Sequence, residues 1–187
     1  MAVTPPDRGS PSGIGSLVRT IVVLALAVLA FAGVTRACSF SPTSPEVDRS
    51  SLPRVDAAAA LRDARASTPF PLRTPLLPPD WIAQSSDVAR VAGTRVARVG
   101  WVTPDDAFLR LVQSDAPEQA LVASEQGDPA ARGAAVAGGR TWVVHTGVRD
   151  EAVWVTDVDG VRLLVTGDAS PERFTELATA VLAAPPV

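Results

Sequence analysis

Few residues in this chain carry reactive chemistry, and they stand far apart. His145 is the only histidine and Cys38 the only cysteine. An imidazole with a pKa near 6.5 is a natural proton carrier, but a hydrolytic site also needs a nucleophile for it to activate. No Gly-x-Ser-x-Gly element accompanies Trp142-Val143-Val144-His145-Thr146, so His145 reads as a strand residue half exposed at a sheet surface. Zinc takes three or four His, Cys or carboxylate ligands in a compact pattern, which one histidine and one cysteine do not supply. Asp157-Val158-Asp159-Gly160 shares the start of a calcium loop and lacks its third acidic position and later glutamate, so it reads as a hairpin turn. Gly13-Ile14-Gly15 and Gly138-Gly139 follow no predicted strand and open no helix, which leaves phosphate cradling unsupported. Trp81, Trp101, Trp142 and Trp154 read first as core or sheet-face packing. On an uncovered face, two or more of them would instead form an apolar patch for a partner or a hydrophobic envelope ligand.

Location is more legible than chemistry. Thr20 to Thr35 is an uncharged run between Arg19 and Arg36, with an apolar or small core from Ile21 to Val34. A spanning helix needs roughly 20 apolar residues to cross about 30 Å of hydrocarbon. Extension back to Ile14, with Arg19 snorkelling to the headgroups, reaches that length. The favoured reading is a single-pass anchor. A cleaved secretory signal, with Ala30-Phe31-Ala32 as the small-x-small site, is a second reading. Lipid attachment at Cys38 is a third, fitted poorly by Thr35-Arg36-Ala37. All three send the rest of the chain outward, and Arg8 and Arg19 mildly favour a cytoplasmic amino end.

Beyond Cys38 stand 14 arginines against 19 acidic residues, a net of −5, which argues against nucleic acid and anionic headgroups as partners. With one cysteine there is no internal disulfide, so burial alone must hold the fold. Ser39 to Arg54 has the Ser- and Pro-rich composition of a flexible spacer. Asp56 to Ala66 gathers strong helix formers with Asp56 as the cap. Its apolar positions are mostly methyl groups, so it packs weakly as a spacer or domain-edge helix. Thr68 to Asp80 holds five prolines, which makes it an extended strap.

An internal repeat organises the remainder. Trp101-Val102-Thr103 through Ala116 aligns without gaps on Trp154-Val155-Thr156 through Ala169, and Pro117-Glu118 falls on Pro171-Glu172 after one inserted residue. This points to a duplicated strand-strand-strand-helix unit. In the first, strands are predicted at Ile82 to Val91, Arg95 to Val102 and Ala107 to Gln113, with a helix from Pro117 to Glu125. In the second they fall at Thr141 to Gly147, Glu151 to Thr156 and Val161 to Thr166, joined by turns at Val148-Arg149-Asp150 and Asp157 to Gly160. Ser170 and Pro171 then open a helix with one apolar stripe, Phe174, Leu177, Ala178, Val181 and Leu182.

Several of these segments carry a family likeness. Leu77-Pro78-Pro79-Asp80-Trp81, Val99-Gly100-Trp101-Val102-Thr103-Pro104, Gly139-Arg140-Thr141-Trp142 and Leu163 to Ser170 before a terminal apolar helix resemble the actinobacterial domain of unknown function DUF4245. Trp101 stands where many members carry tyrosine, and Asp80 where glycine is usual. The resemblance implies a single-pass protein with an outward domain and transfers no catalytic residue.

The expected architecture is therefore α+β: an N-terminal transmembrane helix, then a mostly antiparallel sheet from two strand-strand-strand-helix units with helices on one face. Its parts are a cytoplasmic tail at 1–13, an anchor at 14–35, a linker at 36–54 and an extracytoplasmic domain at 55–187. The expected function is a cell-membrane binding or scaffolding module of the envelope rather than an enzyme. It would touch the membrane through Ile14 to Thr35, take an envelope protein or apolar ligand as partner, and bind no cofactor, metal or nucleic acid. The alternative is an extracytoplasmic hydrolase-like enzyme, marked by a cleft where His145 meets Asp or Ser.

Overall fold

A computed structural model of the chain describes residues 13–35, 49, 51–127, 130–147 and 151–187. Helix α1 (Gly13–Thr35) belongs to one compact unit, Met1–Glu46, and every other element to a second, Val47–Val187. Among the described residues no helix is long and apolar enough to cross a membrane. The stretch of α1 whose side chains are described without interruption, Leu17 to Val28, rises about 18 Å at 1.5 Å per residue. The proposed spacer lies outside the described residues except for 49 and 51–54, and Cys38 and the Val148-Arg149-Asp150 turn also lie outside them.

In the second unit, alanine-rich α2 (Ala57–Arg65) starts where Asp56 accepts a hydrogen bond from the Ala59 N–H at 2.9 Å, the cap the sequence predicts. Strands β1 (Ile82–Val91), β2 (Thr94–Val102) and β3 (Phe108–Ser114) form an antiparallel meander, and α3 (Glu118–Gln126) follows. Then come β4 (Ala131–Ala137), β5 (Arg140–Thr146), β6 (Ala152–Val158), β7 (Val161–Gly167) and α4 (Pro171–Ala183). All seven strands join one antiparallel sheet in the order β1-β2-β3-β7-β6-β5-β4. The β6–β7 turn has Asp159 and Gly160 both at positive φ, 56° and 85°, the left-handed pair expected of an Asp-Gly hairpin.

Two expectations are corrected. The second half of the internal repeat has four strands instead of three, because β4 pairs on the outside of β5. The helices also do not share a face. Strand alternation sends Ala97, Val99, Trp101, Leu109, Leu111, Leu163 and Val165 to one layer with α2 and α4. Val96, Val112, Val153, Val155 and Leu164 form a second layer with Leu121 and Val122 of α3. The cause is the period of two along a strand. Ser114, the last residue of β3, points into the α3 layer, whereas Gly167, the last of β7, is paired with Leu109 of the opposite layer. Links of equal length, Asp115 to Pro117 and Asp168 to Ser170, then carry the helices to opposite sides.

The duplication is correspondingly imperfect. Five residues, Thr103 to Ala107, join β2 to β3, but only Asp159 and Gly160 join β6 to β7. An odd difference in loop length inverts facing. The gapless alignment therefore sets Leu109, in the α4 layer, on Arg162, in the α3 layer.

The strap from Thr68 to Asp80 lies extended, with Phe70 and Leu72 buried in the α4 layer. Gln113, itself buried, accepts from the Arg73 N–H and donates to its carbonyl, both at 2.8 Å. Leu72 and Val187 exchange backbone hydrogen bonds, so the strap is sewn to the carboxy-terminal segment.

Candidate functional site

All four tryptophans are core residues in the α2 and α4 layer, none more than 7% exposed. They are brought together by the sheet, and none of them offers an apolar surface patch. The Trp154 ring lies 5.2 Å from that of Phe174 on α4, the Trp142 indole N–H donates to the Ala137 carbonyl, and that of Trp81 donates to Glu176 at 3.2 Å. An amphipathic ring buried with its polar edge satisfied is an anchor of the fold.

His145 is more enclosed than the sequence suggests. It is 8% exposed, beneath the start of α3, where its Nε2 lies 3.2 Å from Glu118 Oε1. The expected half-exposed surface position gives way to a buried one because Glu118, at the start of α3, lies against the ring. At the far end of the helix, Glu125 Oε1 meets Arg98 Nε at 2.6 Å and its Oε2 meets Arg110 Nη1 at 3.1 Å. Burial pushes the Arg98 guanidinium down, but hydrogen bonds and charge from Glu125 and Asp87 outweigh it and raise its pKa. Next to Glu125, the last helical residue Gln126 donates to Glu151 and Thr166. The polar groups of this layer seat α3 on the sheet.

Three segments that carry the family likeness converge at one end of the domain. Arg49 donates to the carbonyls of Thr103, Pro104 and Asp80 and pairs with Asp106 at 2.5 Å. Arg173 bridges Asp105 and Glu176 at 2.6 and 2.8 Å. The hydrogen bond from Arg173 holds the Asp105 carboxyl below the usual carboxylate range, and the Ser170 hydroxyl does the same for Glu172. Asp168 accepts from the Phe108 N–H at 2.6 Å, beside Gly167 at φ 151°, where a Cβ would stand 2.0 Å from the Phe108 carbonyl oxygen. Every charged group named here is satisfied internally, so this end acts as a clasp that closes loop, strap and helix on one another.

A different place offers space. Between α2 and the β1–β2 hairpin runs a cleft of about 590 Å³. Its helix wall is Ala59, Ala60, Leu61 and Ala64, and Val88, Ala97 and Val99 supply the apolar surface opposite. The cleft follows from sequence: a helix that presents methyl groups fills less room above a sheet than one that presents leucines. Asp56, Asp63 and Ser67 continue the same helix face at its rim, and Ser86, Asp87 and Arg98 come from the strands. Sequence reasoning missed these residues, although Asp56, Ala60, Asp63 and Ser67 recur at helical spacing on one face. Among the described residues, no group of His, Cys, Asp or Glu is arranged to hold a metal ion.

The architecture defines an α+β protein with a seven-stranded antiparallel sheet between helical layers, and a cleft under the first helix of the domain. The chain belongs to the family described as protein of unknown function (DUF4245), which matches residues 11–181. Neither a curated protein nor a solved structure matches it.

Proposed function

We propose that this is a single-pass cell-membrane protein whose carboxy-terminal domain lies outside and works as a binding or scaffolding module of the envelope, rather than as an enzyme. The observation that carries the anchor is the exposure of α1. Leu17, Ile21, Val23, Leu24, Leu26 and Val28 stand 57 to 66% exposed, and a helix apolar on all sides hides that surface in lipid or in protein. The uncharged run from Thr20 to Thr35, extended back to Ile14, favours lipid, since 22 residues rise about 33 Å against a core of about 30 Å. Support for a binding role comes from the cleft beside α2. The enclosure of His145 by Glu118 and α3 favours a structural duty for the one imidazole.

The test is topological. A reporter fused after Val187 is expected to be active only outside the cytoplasm, and the full-length chain to stay in membranes through alkaline extraction. A soluble product that begins after Ala32 would overturn the anchor and keep the outward placement; a reporter active in the cytoplasm would overturn both.

A further inference from the structure

The α2 cleft is lined so as to select its occupant. Resting on the reading of this cleft as the binding surface, the geometry points to a small organic cation with an apolar body as its ligand: a primary ammonium or guanidinium carried on a ring or short chain. Eight of the fourteen lining residues are Val, Ala or Leu. A volume of about 590 Å³ falls within the roughly 300–1,000 Å³ usual for small-molecule sites. Charge gives the sign. Asp56 and Asp63 are two helical turns apart, about 10.5 Å along the axis, and so mark the two ends of the helix wall. Asp56 caps α2 through one oxygen. The Asp63 carboxylate has no hydrogen bond or ion pair among the described residues, and Ala59, Ala60 and Ser67, its neighbours on this face, carry no charge.

No cationic side chain stands in the cleft: Arg98 borders it from β2, but strand alternation turns its guanidinium to the opposite face of the sheet, where Glu125 at 2.6 Å and Asp87 at 3.2 Å hold it. Arg65 is tied to the Val187 and Thr68 carbonyls. Arg62 adjoins Asp63 in sequence but points about 100° away around the helix, and it is not part of the lining. Apolar walls concentrate the field of the unpaired carboxylate into the cleft. An anion there would face Asp63 directly, and a neutral apolar ligand would strip water from that carboxylate without replacing it. A cation on an apolar body satisfies walls and rim together.

Three nearly isosteric probes separate these cases: phenethylammonium, 2-phenylethanol and 3-phenylpropionate, titrated by calorimetry against the full chain in zwitterionic phosphatidylcholine nanodiscs, with empty nanodiscs as blank. Phenethylammonium is expected to bind at least about fivefold more tightly than the alcohol, with no binding of the carboxylate; fivefold corresponds to about 1 kcal/mol. Asp63→Asn is expected to bring the ammonium down to the affinity of the alcohol. Ala60→Leu, a good helix former that fills the cleft, is expected to abolish binding of both while the urea midpoint stays unchanged. Equal affinity for ammonium and alcohol, or an Asp63→Asn variant that binds as before, would overturn the cationic ligand and leave the cleft as a binding surface. Ammonium binding that survives Ala60→Leu, or no binding of any probe at about 10 mM, would overturn both.

Discussion

Glu125 is the residue whose removal bears most directly on how the second layer is held. Its side chain is 2% exposed, and it joins α3 to Arg98 on β2 and Arg110 on β3, whose side chains are 12% and 38% exposed. The register pairs Arg98 with Val112 and Gly100 with Arg110, so the two guanidiniums lie diagonally on one face with the carboxylate above. Breaking a buried pair by deleting one partner costs about 3–5 kcal/mol, because a charge is left without its counter-ion. Arg110 is exposed enough to hydrate, and its share approaches the roughly 0–1 kcal/mol of a surface pair. Asp87 stays within 3.2 Å of Arg98 and keeps part of its interaction. Glu125→Ala is thus expected to cost about 3 kcal/mol. With a urea slope of about 2 kcal/mol per molar, the unfolding midpoint falls by about 1.5 M. Tryptophan emission follows the transition, since all four indoles lie in the domain and none in α1. The triple change Arg98→Met, Glu125→Leu, Arg110→Met is expected to regain most of the loss, as apolar replacements of buried ion pairs commonly do. A loss below about 0.5 kcal/mol for Glu125→Ala, or a triple variant no better than the single one, would refute this account.

The core predicts a comparable loss from the other face. Phe174→Ala removes a buried ring that packs on Trp154 and is expected to cost about 3–5 kcal/mol in the same urea titration, with a change in the native emission spectrum because an indole loses its neighbour. The clasp predicts an acid dependence. Asp105 has its folded pKa depressed by Arg173, so its contribution is present above the ordinary carboxylate pKa of about 3.9 and is lost as pH falls through the lower folded value. Arg173→Met is expected to flatten the stability profile below about pH 4, and an unchanged acid limb would count against the ion pair.

What was legible in the sequence is whatever local pattern decides. The Asp56 cap, the Asp159-Gly160 hairpin and the stripe from Phe174 to Val181 were written in residue types at fixed spacing, and each appears where the spacing puts it. β4 was not legible, because Ala-Arg-Gly-Ala-Ala-Val-Ala has little β-branching and lies almost wholly exposed at the sheet edge. Its signal was the Gly138-Gly139 pair, with φ of 57° and 74°, a hairpin turn rather than an anion loop. The placement of α3 depended on whether the last strand residue faces up or down, a parity that one residue of register reverses. The cleft was hidden for a different reason. It is made of missing side-chain volume, and the alanines that create it read along the chain only as a helix that packs weakly.

The strand order has a consequence for synthesis. The sheet's middle strand, β7, is the last strand made, and it pairs with β3 on one side and β6 on the other. A chain emerging from its amino end can close β1-β2-β3 and β4-β5-β6 as separate ribbons, but each keeps an open edge of unpaired backbone groups, a template for wrong pairing. Only when Val161 to Gly167 arrives do the two ribbons become one sheet, and α4 follows at once to cover it. A chain released short of Val161 therefore carries two ribbons with sticky edges instead of a smaller domain. The interval before those seven residues appear is the time in which the protein most needs protection.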